Sequence, residues 1–339
     1  MTVIYIGVCV FLAVVYFSAT FGKRFYEKSA KEKTIKQCSY GSAEIANVLK
    51  DTSDYDLLKS QFSGEKNFQE RYLISVSVSR VYPIELLERW VIDEPDSADA
   101  LLCYGARLVQ WSWDARGYGR GSDVSRAAWD EFFKRLAKTR AVLMKCTEAM
   151  PSDPTPWAYL IIVSTVSGDD HDDRAYYFEQ AVERDPLNWP AHMHRVIALS
   201  EKWGGDNRAM IKFAEEASNN APEGSDLAAI LIKAYIENWK YLDMFEDKPA
   251  EAKQFLNSAD IQAKAVAAYQ RSLGSSLHKD TANSIFARYN TSSWFWMVKD
   301  KLRLKQDLSA LGGKIEDIHW RWAGSEGDLS KAKKFAGVR

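Results

Sequence analysis

Apolar and polar positions divide the chain into one long uncharged segment followed by a series of amphipathic stretches. Residues Val3 to Phe21 carry no charge and are mostly aliphatic or aromatic. These 19 residues, at about 1.5 Å of helical rise each, nearly match the roughly 30 Å of a bilayer's hydrocarbon core. The segment therefore predicts a membrane-spanning helix, because backbone polar groups in lipid must be satisfied within the segment itself.

From about residue 42 onward, apolar residues recur with the spacing of helices that bury one face. Two such stripes are Trp129, Phe132, Phe133, Leu136, Ala137 and Leu143, and then Leu227, Ile230, Leu231, Ala234 and Tyr235. The segment from Tyr72 to Val81 alternates in part, as a strand does. Because its neighbours are helical in character, we predict a helix there too, and an all-α chain overall.

Helix breakers fall between these stretches, where glycine or proline interrupts the periodic pattern. They are Gly117, Gly119 and Gly121; Gly168; Gly204 and Gly205; Pro222 and Gly224; Gly312 and Gly313. Four aspartates between residues 169 and 173 precede a helix that we expect to begin near Ala175. Acidic residues at that position favour a helix N-terminus.

A repeated motif supplies the clearest internal periodicity. Ala149–Trp157 and Ala181–Trp189 share the pattern A-x-x-x-D-P-x-x-W and lie 32 residues apart. Ala217–Pro222 repeats the Ala-x4-Pro part 36 residues later, and Pro95 marks an earlier member. An Asp-Pro step ends one helix and starts the next, and the alanine is expected to let two helices approach closely. The motif thus predicts stacked helix pairs that shelter one another's apolar faces.

This spacing resembles the 34-residue period of tetratricopeptide repeats over about residues 85–240. The match is degenerate, since the small position midway along each first helix holds Ser164 or Val196 rather than glycine, and the tyrosine expected after it is missing. The phrases Trp113-Asp-Ala-Arg116-Gly117 and Lys202-Trp203-Gly204-Gly205-Asp206 also resemble an uncharacterised bacterial family with a tetratricopeptide-like domain. The resemblance implies a fold and a membership but no activity.

The predicted fold class is all-α, an N-terminal transmembrane helix followed by a degenerate tetratricopeptide-like α-solenoid. The expected boundaries are 1–22 for the anchor, 23–41 for a basic juxtamembrane neck, 42–323 for the helical repeat domain and 324–339 for a flexible tail. A cleaved signal peptide is the alternative for the first segment. It would need positive charge before the apolar run, where only Met1 and Thr2 stand.

Positive charges just after the span predict its orientation. They are Lys23, Arg24, Lys28, Lys31, Lys33 and Lys36, opposed by Glu27 and Glu32. Excess lysine and arginine marks the cytoplasmic side, so we expect a single-pass inner (cytoplasmic) membrane protein with its helical domain in the cytoplasm. Lys23, Arg24, Lys28 and Lys31 are candidate contacts for lipid headgroups, or else a topology signal only. A periplasmic helical domain is the alternative.

Overall composition narrows the function classes further. A net charge of -1 argues against a nucleic-acid-binding protein, which is usually clearly basic. The 4 cysteines form no C-x-x-C pair, and scattered single cysteines are typical of a reducing compartment and of packing roles. Most of the many tryptophan, tyrosine and phenylalanine residues are expected to fill helix–helix contacts.

The segment from Arg116 to Gly121 is the local cluster that most suggests ligand chemistry. Two arginines and three glycines in a loop could approach a phosphate or carboxylate closely. The alternative is an inter-helix loop in which Arg116 pairs with a nearby acid. We name Arg116, Arg120, Trp113 and Trp203 as candidate contacts for an anion or a partner. For Trp203 the structural alternative is packing beneath a helix stop with a left-handed glycine.

The chain shows little that indicates catalysis. His192 and His194 lie two positions apart on a predicted helix, so they point in opposed directions and cannot share a metal. His171 among its aspartates lacks the calcium-loop glycine, and no nucleophile motif is present. We therefore expect no catalytic residue, no cofactor and no metal, and predict a membrane-anchored scaffold that binds a protein or peptide. The alternatives are a periplasmic envelope or secretion accessory protein, and an enzyme built around the Arg/Gly loop.

The C-terminal part of the sequence contains two pairs of tryptophans, Trp294 with Trp296 and Trp320 with Trp322. The second pair could form a capping helix, which a solenoid needs to shield its last repeat. It could instead form an exposed docking patch.

Overall fold

The computed structural model describes residues 55–62, 67–117, 123–312 and 329–338. The predicted anchor, the basic neck, Arg120, Trp320 and Trp322 lie outside the described residues. Within the described ranges, no helix combines the length and apolarity needed to cross a bilayer.

The described residues form fifteen α-helices that pack against each other and contain no strand. They are α1 Asp56–Gln61, α2 Phe68–Val81, α3 Ile84–Asp93, α4 Ala98–Arg116, α5 Arg126–Ala149, α6 Thr155–Ser167, α7 His171–Arg184, α8 Trp189–Leu199, α9 Asn207–Asn220, α10 Ile230–Lys240, α11 Pro249–Asn257, α12 Ala259–Arg271, α13 Ser284–Met297, α14 Lys301–Leu311 and α15 Leu329–Ala336. Short 3₁₀ turns at Glu201–Trp203 and Asp226–Ala229 and a π-helical turn at Tyr241–Phe245 connect some of them. The all-α prediction is confirmed, and the packing is compatible with a helical-repeat fold.

The helices divide into two compact units, the first ending at Ala191 and the second beginning at His192. In the first unit, α4 packs against α2, α3 and α5, and α6 packs between α5 and α7. The partly alternating segment Tyr72–Val81 is helical, as predicted, and Asn67 begins α2 with a capping box. Its residues Ser75 and Arg71 reach α6 and the turn before it. Ser75 Oγ lies 3.0 Å from the hydroxyl of Tyr159, and Arg71 Nε donates to Asp153 at 2.8 Å.

The predicted helix boundaries at the Asp-Pro motifs are confirmed. α5 ends at Ala149 and α6 begins at Thr155, where the Asp153 carboxylate accepts the Thr155 N–H at 2.8 Å. α7 ends at Arg184, and the Asp185 carboxylate accepts the Leu187 N–H at 3.2 Å. In both cases a short polar side chain satisfies a backbone donor that the interrupted helix leaves open.

The alanine of the motif is fully buried at one position only. Ala181 is fully buried, but Ala149 is exposed and Ala217 is half-buried. On α5 the buried residues nearest to Ala149 are Cys146 and Thr147, because the end of this helix presents their face to its neighbours. Burial of this alanine is therefore not a general property of the motif.

In the second unit, α10 packs against α9 and α13, and α13 packs against α14. The predicted stripe from Leu227 to Tyr235 is entirely buried, although its first residues adopt a 3₁₀ turn. α13 is buried on all sides from Ser284 to Phe295, including several hydroxyl and amide side chains. Those polar groups satisfy themselves largely on their own helix, as Ser293 Oγ does on the Tyr289 carbonyl at 2.8 Å.

The prediction of a flexible tail over residues 324–339 is partly wrong, because residues Leu329–Ala336 form α15 and pack against α14. Leu329, Ala332 and Ala336 are buried, and the Phe335 ring lies 5.7 Å from that of Trp296. The lysines of this segment dominated its composition, but its apolar residues keep helical spacing. That spacing was sufficient to predict an amphipathic helix.

Candidate functional site

An open groove with a volume of about 480 Å³ runs along α5 in the first unit. Its lining is mostly apolar and consists of Phe133, Ala137, Arg140, Ala141, Met144 and Ser167. Phe133 is 37% exposed. Five of the six residues come from α5 at positions i, i+4, i+7, i+8 and i+11, so they share one helical face.

The groove exists because the predicted apolar stripe of α5 is wider than the core requires. Phe132, Leu136 and Leu143 are buried against neighbouring helices, as a core stripe should be. Phe133 and Ala137 belong to the same predicted stripe but face outward. The prediction of one core stripe is thus wrong for these two residues, and an apolar strip of α5 remains accessible.

One end of the groove lies beside Trp129 and the first residue of the Arg/Gly loop, Arg116. The Phe133 ring stacks on that of Trp129, with centroids 5.8 Å apart and planes inclined by 21°. The Arg116 guanidinium lies 4.4 Å from the centroid of the Trp129 ring and 5.7 Å from that of Trp113. Cation–π contacts of this kind stabilise a desolvated cation by about 2 kcal/mol. Arg116 is only 3% exposed, so it supports this end of the groove from below.

Arg140 forms the polar part of the groove wall. It pairs with Asp169 in the turn between α6 and α7, which ties that turn to α5. Asp170, the next residue, caps α7 by accepting the N–H groups of Asp172 and Asp173. The aspartate cluster therefore serves a helix start, as predicted, although the helix begins four residues before the expected Ala175.

The candidate contacts named from the sequence lie in different parts of the chain. Trp113 and Arg116 lie at the end of the α5 groove, Arg120 lies outside the described residues, and Trp203 belongs to the second unit. The proposed headgroup contacts Lys23, Arg24, Lys28 and Lys31 also lie outside the described residues. The Arg116 guanidinium donates to the Gly117 carbonyl at 3.2 Å and lies over two indole rings.

The Lys202-Trp203-Gly204-Gly205 phrase forms the predicted helix stop. Gly204 adopts a left-handed conformation with φ of 79°, and Trp203 is 3% exposed beneath the turn. A Cβ on Gly205 would lie 2.1 Å from the carbonyl oxygen of Leu199, which excludes any side chain there. Asp206 then begins α9 by accepting two backbone N–H groups.

Sequence reasoning missed a buried ionic cluster in the second unit, which we call the Glu237 cluster. It comprises the Glu237 carboxylate and the amines of Lys202, Lys233 and Lys240, all at most 4% exposed. Lys233 and Lys240 donate to the same carboxylate oxygen at 2.7 and 3.2 Å, and Lys202 pairs with the other. The i, i+4, i+7 spacing of charges within the otherwise apolar α10 was the available indication.

Burial and charge set the protonation of the cluster. Burial alone would raise the pKa of Glu237, but the three lysines outweigh it and hold that pKa well below its usual range. Burial lowers the pKa of Lys202 in spite of its carboxylate partner. For Lys240, burial lowers the pKa to about 7 against the attraction of Glu237, and the two neighbouring lysines lower it further.

A second buried network surrounds Asp307 on α14. Its carboxylate accepts hydrogen bonds from the Tyr269 hydroxyl at 3.1 Å, the Arg288 guanidinium at 3.2 Å and the Thr291 hydroxyl. Burial raises the pKa of Asp307 to about 7, although these donors oppose the shift. The network links α12, α13 and α14, and its members are fully engaged with one another.

No candidate metal site appears within the described ranges. They contain no group of three or more histidine, cysteine or acidic side chains placed to hold a metal ion. Burial lowers the pKa of His194 to about 3, with a smaller contribution from Lys233, so this imidazole stays neutral at physiological pH. What the α5 groove offers is an apolar surface with polar edges, which suits binding.

Comparison with protein-family models, with characterised proteins and with solved structures gives no match.

Proposed function

We propose that this protein is a membrane-anchored helical-repeat scaffold whose α5 groove binds an amphipathic helix of a partner protein. The observation that carries the proposal is the outward-facing strip of Phe133, Ala137, Ala141 and Met144. Two alanines one turn apart allow a second helix to approach α5 closely, and methionine adapts its shape to different apolar neighbours. A helix laid along such a strip contributes its own residues at i, i+3, i+4 and i+7.

The charges that flank the groove favour an acidic partner segment. α5 carries six lysine and arginine residues and three aspartate and glutamate residues. Lys134, Lys138 and Lys145 keep 81%, 45% and 47% of their side-chain surface exposed, although each reaches a carboxylate. A partner helix with an apolar stripe and acidic flanks would complement both features. The charged flanks would mainly set orientation and association rate.

Residues 3–21 would hold this scaffold at the inner membrane, with the helical units in the cytoplasm. Lys23, Arg24, Lys28 and Lys31 follow the span and support that orientation. Tethering both the scaffold and a membrane-associated partner to one bilayer raises their effective concentration for each other.

Site-specific photo-crosslinking in intact cells tests the groove. A photoreactive amino acid at Ala137 should give a discrete adduct, whereas the same group at the exposed Glu183 on α7 should not. Sequencing the crosslinked peptide should identify an amphipathic segment with acidic flanks. Ala141→Glu and Met144→Glu should each abolish the adduct at Ala137, because they place a charge on the apolar strip.

Equal adducts at Ala137 and Glu183, or an adduct that both glutamate substitutions leave unchanged, would refute the groove as the binding surface. A crosslinked segment without an apolar stripe would also contradict the proposed partner. The anchor has a separate test. Removal of residues 1–22 should release the chain from alkaline-washed membranes, and a reporter fused after Arg339 that is active only when exported should stay inactive. An active reporter would establish the periplasmic alternative.

A further inference from the structure

The Glu237 cluster joins two elements of the second unit, α10 and the 3₁₀ turn Glu201–Trp203. Lys233 and Glu237 lie one turn apart on α10. Lys240 is the last residue of α10, directly before the π-helical turn Tyr241–Phe245. Lys202 comes from the 3₁₀ turn Glu201–Trp203, which packs against that π-helical turn. The Lys202–Glu237 pair thus ties the 3₁₀ turn to α10, and Lys240 lies where α10 passes into the π-helical turn.

The cluster has an excess of positive charge. Three ammonium groups and one carboxylate sum to a formal charge of +2, and all four groups are at most 4% exposed. Within the described part of the chain, each amine has Glu237 as its hydrogen-bonding partner. Because a buried charge without a counter-charge is costly, the cluster is most stable when one amine is neutral.

Among the described residues, the elements packed against α10 carry one further buried carboxylate, that of Asp226, which accepts a hydrogen bond from the Thr281 hydroxyl at 2.7 Å. His194, which faces Lys233 from α8, stays neutral. The remaining charged groups on the elements around Lys240 are exposed or half-buried: Glu201 on the 3₁₀ turn, Asp243 on the π-helical turn, Glu246, Asp247 and Lys248 after it, and Glu251 and Lys253 on α11. The charges that act on Lys240 are Glu237, Lys233 and Lys202.

We propose that the Glu237 cluster is a proton-sensitive latch, in which acidification through neutrality charges the third buried amine and releases the Lys202 turn from the π-helical turn. Gly204 and Gly205 lie two and three residues after Lys202, and π-helical turns frequently occur at functional positions. Opening exposes the amines to water, where each regains its ordinary protonation behaviour.

Proton linkage gives the sign and the size of the effect of pH on opening of the cluster. The pKa of Lys240 is about 7 in the closed state and 10.5 in water, so the open state binds more protons between these values. Closure is therefore favoured as pH rises from 7 to 10.5 and loses that advantage as pH falls through 7. Between pH 8 and pH 6 the opening equilibrium constant should increase about tenfold.

Hydrogen exchange of the full chain, compared at pH 6 and pH 8 after correction for intrinsic exchange rates, tests the latch. The reporters are the amides of Gly205 and Asp206, bonded to Ser200 and Leu199, and of Glu246, bonded to Tyr241. Their protection should fall about tenfold at pH 6. Amides of the first unit, such as that of Asp185, should not change in this way.

Lys240→Met retains the length of the side chain without its charge and should remove the pH dependence. Lys253→Met, on the exposed face of α11, should leave it intact and serves as the matched control. Unchanged protection between pH 6 and pH 8 in the wild type, or the same change in Lys240→Met, would overturn the proposal. If Lys240→Met does not fold, nuclear magnetic resonance of lysine Nζ in the wild type decides. One amine should titrate near neutrality, and its absence counts against the latch.

Discussion

Asp153 offers the sharpest test of how the first unit is held together. Its side chain is fully buried, and it accepts hydrogen bonds from Arg71 Nε and the Thr155 N–H, both at 2.8 Å. Arg71 is 5% exposed and has a second partner in Asp99, whose side chain is 28% exposed. Replacing Asp153 with asparagine removes the buried counter-charge but leaves an oxygen that can still accept from Thr155.

These contacts determine how much free energy of unfolding the Asp153→Asn substitution should remove. Breaking a buried ion pair by removing one partner costs about 3–5 kcal/mol, because the remaining charge stays buried. Asp99 still serves Arg71 and the backbone contact survives, so we expect the lower end, about 3 kcal/mol. Asp185→Asn is the matched control, because Asp185 occupies the same place in the motif but is half-buried and accepts from Leu187 and Asn188. It should cost about 1 kcal/mol or less.

Hydrogen exchange of peptides from residues 98–167 measures the stability of the first unit separately from that of the second. Asp153→Asn should speed their exchange by about a hundredfold where exchange follows unfolding of this unit, and Asp185→Asn by less than about tenfold. In an Arg71→Met background the effect of Asp153→Asn should shrink, since the buried charge is gone. Equal effects of the two asparagine substitutions would show that the Arg71 contact contributes nothing specific.

Two further predictions follow from single positions. Gly205→Ala should lower the melting temperature of the second unit because its methyl group would overlap the Leu199 carbonyl. Gly204→Asn should be tolerated, since asparagine accepts the left-handed conformation; calorimetry that finds equal losses would contradict this. Cys103 and Cys146, whose thiol pKa values burial raises, should resist alkylation at pH 8 in the folded chain and react after urea unfolding. Rapid labelling without urea would refute their burial.

The elements that local chemistry determines could be predicted from the sequence. The helix boundaries at Pro154, Pro186 and Pro222 depend on a missing N–H, and the stop at Gly204 depends on backbone conformation. Both effects act within a few residues, so the pattern reveals them. The buried aromatic residues follow in the same way from the need to cover apolar surface.

What the sequence did not reveal depends on which neighbour covers each helical face. Phe132 and Phe133 are adjacent and equally apolar, yet only the position of the next helix makes one core and the other groove. Lys202 and Glu237 lie 35 residues apart, and no local rule predicts that they pair in the interior. Ala149 is the opposite case. Its motif suggested that the residue packs against a neighbouring helix, but the residue is exposed.

The contacts of α2 set a limit on modularity. In an ideal array each repeat touches its immediate neighbours, so units can be removed or duplicated without harm. Here Arg71 and Ser75 reach partners 82 and 84 residues further along the chain. Deleting or duplicating a helix pair between these residues would change the distance between α2 and its partners. The Arg71–Asp153 and Ser75–Tyr159 contacts would then be lost. The first unit should therefore have diversified by substitution, with its number of helices fixed.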